Sequence, residues 1–234
     1  MRYLETEVTL GADEGEGAQR SVATLESKLI ALEDRLRELH LSGNPEQRAL
    51  VRLEISRHQL ALARKSEAWN SARELLDEFL KAEQWELAAD TCDILYRTEQ
   101  EESLQALGHG IWLGVTFPID PELTLTLLQN LVEDTPDNAD GAAVAAAVGL
   151  YVVELRTEGT RRDSLLFFAN QRLGQVARRH SQVESQEQFQ HWIERLELHL
   201  PERLLVRLRN VVDVLVQGEW WFDREQMQLR LPVN

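Results

Sequence analysis

Six histidines, 40 carboxylates and a single cysteine are the chain's stock of groups able to carry protons, bind metals or attack carbonyls. Their spacing argues against all three. His40, His58, His109, His180, His191 and His199 form no His-x-x-x-His pair and no His-Glu-x-x-His motif. His191 and His199 can share a helical face, but eight helical residues separate them by about 12 Å, too far to ligate one metal. Glu38-Leu39-His40 and Glu197-Leu198-His199 lack the Glu-x-x-His spacing of a di-iron bundle. The segment Gly108-His109-Gly110-Ile111-Trp112-Leu113-Gly114 is glycine-rich, yet it lacks a phosphate loop's spacing, a preceding strand and a Lys-Ser/Thr pair. It reads as a site of close helix packing. No Gly-x-Ser-x-Gly elbow is present. Cys92, between Ala88 and Leu95 on an apolar face, reads as a small buried hydrophobe. The expectation is a protein with no catalytic residue, no cofactor and no metal.

The carboxylates inform through their distribution. Residues 74–102 carry ten acids against Lys81 and Arg97, and residues 118–140 carry acids and no base. Residues 156–179 reverse the balance, with Arg156, Arg161, Arg162, Arg172, Arg178 and Arg179 against Glu158 and Asp163. Segregated charge of this kind either lies on solvated faces or recognises a partner of opposite charge. Arg161, Arg162, Arg178 and Arg179 are candidate contacts for an acidic partner; the acidic middle would suit a basic one. Trp220, Trp221 and Phe222 are the other candidates. Three consecutive aromatics in a strand cannot all face one way, so they either pack on the chain's last helix or anchor an interface.

The elements that must position these residues are mostly helical. The composition is 43% hydrophobic and 28% charged with 12 glycines, typical of a helix-rich globular chain. A net charge of −15 opposes binding to nucleic-acid backbones or anionic membranes. The longest apolar run, Gly141 to Val153, is too short to span a bilayer and reads as a buried helix. The first residues lack a basic region and apolar core, so a cytoplasmic protein without a secretory signal is expected. Residues 2–10 alternate as a strand would, and Gly11 to Gly17 reads as an acidic flexible linker. From Ser21 to His40, Val22, Leu25, Leu29, Leu32, Leu36 and Leu39 form one helical stripe. Ser42-Gly43-Asn44-Pro45 then closes one helix and opens another over 45–65. The stripe serves either this intramolecular hairpin or a second copy. Further helices are predicted over 67–81, 84–98, 103–117, 121–133, 140–156, 161–180, 184–198 and 201–217. The small residues Ala106, Gly110 and Gly114 should meet the alanine-rich helix 140–156. Residues 219–234 read as an aromatic β-hairpin, with Met227, Leu229 and Leu231 alternating with Gln228 and Arg230, and the N-terminal strand its obvious partner.

Trp69-Asn70-Ser71-Ala72 and Trp85-Glu86-Leu87-Ala88 repeat Trp-x-x-Ala at an offset of sixteen. With Leu75, Phe79 and Leu95 they fall at the small, large and aromatic spacings of a tetratricopeptide repeat, and residues 69–98 resemble one hairpin of that family. Leu76 stands where the family usually has glycine. The resemblance implies a binding scaffold and assigns no ligand residue. Both tryptophans read as core. The expected fold is all-α: an irregular stack of antiparallel helical hairpins, tetratricopeptide-like, with short β-like segments at both ends. Residues 1–17 would be strand and linker, 18–218 one helical domain, and 219–234 the tail. The expected function is a non-catalytic adaptor, assembly factor or chaperone that binds another protein. The alternatives are a homo-oligomer, a homodimer at its simplest, joined through the 22–39 stripe, and a ligand-binding or catalytic pocket at the Gly110/Gly114 junction.

Overall fold

A computed structural model describes residues 14–42 and 44–231, and the predicted strand at 2–10 and the cap at Gly43 lie outside them. Among the described residues there are eleven helices and no strand. No helix among them is long and apolar enough to cross a membrane. The chain divides into two compact units within its fifth helix, after Ala106.

The first unit contains α1 (Glu14–Ser42), α2 (Pro45–Ala61), α3 (Lys65–Lys81), α4 (Trp85–Arg97) and the start of α5 (Ser103–Thr116). Consecutive helices pack side by side, and α2 also meets α4. The leucine stripe of α1 is taken up by α2: Leu29 is buried with Val51 and Ile55, and Leu32, Leu36 and Leu39 pack around them. The expected linker gives way at Glu14, where α1 begins. A long helix propagates cheaply once nucleated, so Gly15 and Gly17 raise its cost without stopping it. Between α3 and α4 the small residues Ala68, Ala72, Ala88, Ala89 and Cys92 are fully buried. Trp69 and Trp85, read as core, are only half-buried. Alanine sets the close helix approach, while an indole is too large to share that position.

Two turns of this unit are built alike. The Ala63 N–H donates to the Leu60 carbonyl and the Arg64 N–H to Gln59 (2.9 and 2.8 Å); Glu83 and Gln84 repeat the pattern on Leu80 and Phe79 (3.3 and 2.9 Å). This is the Schellman closure of a helix, which places its C′ residue in the left-handed region. Ala63 (φ 57°) and Glu83 (φ 57°) occupy that position without being glycine. An L-residue is strained there by about 1–2 kcal/mol, part of which glycine loses again through its unfolded-state freedom. Ala63→Gly is therefore expected to stabilise the protein by about 0.5–1 kcal/mol. Calorimetry should register a Tm rise of about 1–4 °C, and a fall would contradict the strain argument.

The second unit holds the rest of α5, α6 (Pro121–Asp134), α7 (Asp140–Arg156), α8 (Gly159–Ser181), α9 (Gln186–Arg195), α10 (Pro201–Val216) and α11 (Arg224–Gln228). Its starts follow the sequence signals. Asp120 caps α6 by accepting from the Glu122 N–H at 2.8 Å, with Pro121 in the first turn. Ser185 and Gln188 form a capping box on α9. The centre of the unit is α7, which packs against α6, α8 and α10. Its residues from Ala142 to Gly149, with Val152 and Val153, are all buried.

Two helix approaches here depend on glycine. A Cβ at Gly108 would lie 2.7 Å from Val216 Cγ2 on α10, and one at Gly114 would lie 3.2 Å from Thr124 Oγ1 on α6. The sequence pointed to close packing by the α5 glycines, but with α7 as the neighbour; the partners at Gly108 and Gly114 are α10 and α6. The expected β-hairpin at 219–234 is also corrected. Residues 219–223 are irregular, and α11 follows, capped by Asp223, whose carboxylate accepts from the Gln226 N–H at 3.0 Å. Among the described residues there is no strand, and the Met227/Leu229/Leu231 alternation does not make one: Met227 is buried and Leu229 is 86% exposed.

Candidate functional site

Three groups of side chains in the second unit merit chemical scrutiny. The first surrounds His109, which is fully buried on α5. Trp221 stacks on its ring at a centroid distance of 4.4 Å, while Trp220 and Phe222 meet it edge-on at 5.2 Å each. The Trp221 backbone N–H donates to His109 Nε2 at 3.1 Å. An accepting Nε2 makes the ring neutral and protonated on Nδ1. Trp112, one turn along α5, contacts both Trp220 and Phe222. Arg224 lies 3.9 Å above the Trp220 ring and is held by Asp213 of α10 at 3.0 Å. The three tail aromatics are thus half-buried, and the surface they meet is α5, with His109 at its centre.

The second group is a serine, a histidine and an aspartate from two helices. Ser181 Oγ is 2.7 Å from His180 Nδ1, and His180 Nε2 is 3.1 Å from Asp140 Oδ1. Those distances suit a hydroxyl nucleophile, a base and its orienting carboxylate. The surroundings do not. The Trp192 indole N–H donates to the same Nδ1 at 3.2 Å, so the lone pair that would take the serine proton is already engaged. Arg195 donates to Ser181 Oγ at 2.9 Å and Arg207 to Asp140 Oδ2 at 3.0 Å. Ser181 also closes the C-terminal end of α8, where the free backbone groups are carbonyls rather than the N–H donors an oxyanion needs. The group is a junction that ties α7, α8, α9 and α10 together.

The third group is the arginines of α8. Arg161 donates to both Asp120 carboxylate oxygens, at 2.5 and 2.7 Å, at the start of α6. Arg179 donates to the Val132 carbonyl at 2.5 Å, at the other end of α6. These two side chains brace α8 against both ends of its neighbour. Arg162 is half-buried and Arg178 exposed. The outward stripe of α8 runs through Ser164, Phe167, Asn170, Gln171, Gly174 and Arg178. Phe167 is 67% exposed on it, edge-on to Phe168 at 6.0 Å. Sequence reasoning passed over Phe167, although the signal was there. Adjacent helical residues point about 100° apart, so Phe167 and Phe168 cannot both face the core that Leu165, Ala169 and Leu173 define.

In the first unit the acidic middle is extensively paired. Arg52 donates to Glu74 and Glu78, at 2.7 and 2.5 Å, and Lys65 pairs with Glu99. Arg57 binds Asp90, which is buried, and also Glu54. Burial pushes the Cys92 thiol well above the usual range, which makes it a packing residue. At the proposed glycine pocket, Gly114 is filled: its carbonyl accepts from Thr124 Oγ1 at 3.1 Å and from Arg156 at 2.6 Å. Among the described residues no group of three or more His, Cys, Asp or Glu is placed to hold a metal.

The described residues are all-helical, with helices packed against each other in an arrangement compatible with a helical-repeat fold. No family model, no curated protein and no solved structure matches the chain.

Proposed function

We propose that the chain is a non-catalytic adaptor or assembly factor of the cytoplasm, with a tetratricopeptide-like hairpin at α3–α4, and that it binds another protein through the outward face of α8. The observation that carries this reading is Phe167, a large aromatic left two-thirds exposed on a helix pinned at both ends by Arg161 and Arg179. Rigid, exposed aromatics make interface hot spots because little side-chain entropy is lost on contact. A Cβ at Gly174, two turns further along, would meet nothing within 4 Å, and Arg178 on the same stripe supplies a positive charge for a partner's carboxylate.

Phe167→Ala should leave stability within about 0.5 kcal/mol of the parent, as exposed substitutions do. It should weaken partner binding by about 2 kcal/mol, or roughly thirtyfold. A photo-crosslinking residue at position 167 in living cells is expected to trap one discrete protein adduct, and the same residue at position 229 none. Adducts of equal yield at both positions, or none at 167, would sink the proposal.

A further inference from the structure

We propose that the outward face of α8 is covered, in the protein on its own, by the same face of a second copy, in an antiparallel two-fold pair centred between Asn170 and Gln171. This rests on the reading of that face as a docking surface and names its first occupant.

The stripe is its own complement. Thr160, Ser164, Phe167, Gln171, Gly174 and Arg178 alternate spacings of four and three, so they keep to one side of α8 for about five turns. Asp163 and Asn170 border them and are exposed, as are Phe167, Gln171 and Arg178. In a two-fold pair every contact is returned: what one residue meets on the other copy meets it in turn. Two identical helices running antiparallel bring level those residues that stand equally far before and after the axis. With the axis between Asn170 and Gln171, these two amides face each other across it. Phe167 and Gly174 lie about 5 Å along the helix on either side, and Asp163 and Arg178 about 11 Å. Each ring therefore meets the other copy's glycine, and each Asp163 carboxylate meets the other copy's Arg178.

Shape and charge both favour this register. A Cβ at Gly174 would meet nothing within 4 Å, so a ring arriving there from a second copy displaces no side chain. A large knob opposite a missing side chain lets two helices approach closely. Among the described residues Asp163 and Arg178 enter no ion pair of their own chain, whereas Arg161 and Arg179 do. Parallel pairing would set Asp163 on Asp163 and Arg178 on Arg178, two like-charge contacts. The antiparallel register turns both into attractions. The chain's net charge of −15 opposes self-association in general. That field decays over about 8 Å at physiological salt, and at the contact one acid and one base from each copy balance.

The size of the face sets the strength of the pair. α8 has 23 residues, which makes it about 35 Å long and about 11 Å across. Two such faces bury roughly 800 Å² together, less than the roughly 1,200–2,000 Å² of stable complexes. The pair is therefore weak, with a Kd on the order of tens of micromolar. A partner protein that binds the same face more tightly displaces the second copy.

The test is sedimentation equilibrium of the full chain from about 2 to 400 µM, a range that brackets the expected Kd. Asp163→Arg and Arg178→Asp are exposed changes that leave the fold intact. Alone, each sets like charges at both ends of the pair and should weaken it by about tenfold or more. Mixed one to one, the two variants restore opposite charges at both ends, and a heterodimer at least as tight as the parent pair is expected. Gly174→Gln should hold or raise the Tm, since glycine is the poorer helix former, and should abolish pairing by filling the ring's seat. A parent that stays monomeric, single variants that pair like the parent, a mixture no tighter than the singles, or pairing retained by Gly174→Gln would each overturn the proposal. A monomeric purified chain alongside a cellular adduct to another protein at position 167 would overturn the two-fold pair and leave the adaptor reading in place. Pairing of the purified chain with no adduct to another protein in cells would do the reverse.

Discussion

His109→Ala is expected to cost roughly 3 kcal/mol of stability, near the lower end for removing a buried aromatic ring. Trp220, Trp221 and Phe222 all touch the ring. Its loss leaves a void beneath three large side chains fixed by their neighbours, so collapse can fill little of it. The Trp221 N–H loses its acceptor as well. His109→Gln should fall between, at about 1–2 kcal/mol, because it restores an acceptor without restoring the stacked plane. Urea unfolding followed by tryptophan emission would measure both. A loss below about 1 kcal/mol for His109→Ala would mean that the tail is seated by other contacts.

The second large effect is expected in the other unit. Arg57→Met should destabilise by about 3–4 kcal/mol, because it strands the buried Asp90 carboxylate without its counter-ion. Asp93, also buried on α4, has its own partner in Arg97 at 3.7 Å and leaves the Arg57–Asp90 pair as the one tested. The double variant Arg57→Met/Asp90→Leu should recover most of that loss, since an apolar pair of similar size carries no desolvation cost. Thermal or urea unfolding of the two singles and the double closes a thermodynamic cycle. Additive losses would show that the two side chains act independently. A double variant less stable than Arg57→Met would refute the stranded-charge explanation.

Helix positions were the most legible part of the sequence. The segments predicted at 121–133, 140–156 and 201–217 are observed at 121–134, 140–156 and 201–216, because proline and aspartate caps and apolar periodicity act within a few residues. What failed was pairing at a distance. The α5 glycines announced a close approach, but nothing local says whether α6, α7 or α10 will fill it. The tail's period-two pattern was real, yet the Asp223 cap is a local signal for a helix, and residues 224–228 follow it.

The candidate site was legible to a lesser degree and for the same reason. Trp220, Trp221 and Phe222 were visible as a group that must meet something, while His109, the side chain they meet, lies more than a hundred residues earlier. Arg161, Arg162, Arg178 and Arg179 stood out as a charge block. Their division into two inward braces and an outward Arg178 depends on where α6 ends. Phe167 was legible from helical geometry alone.

The alanine-rich α7 has a consequence for registry. A helix with methyl groups for most of its buried surface presents few knobs to its neighbours, so packing alone would let it slide or rotate at small cost. Its two polar ends prevent this. At the first residue, Asp140 is held by His180 and Arg207, at 3.1 and 3.0 Å; at the last, Arg156 is fastened to two α5 carbonyls, at 2.6 and 2.8 Å. α7 is thus a smooth axle located by a pin at each end. Alignment of the second unit rests on those two residues rather than on the seventeen-residue barrel between and including them.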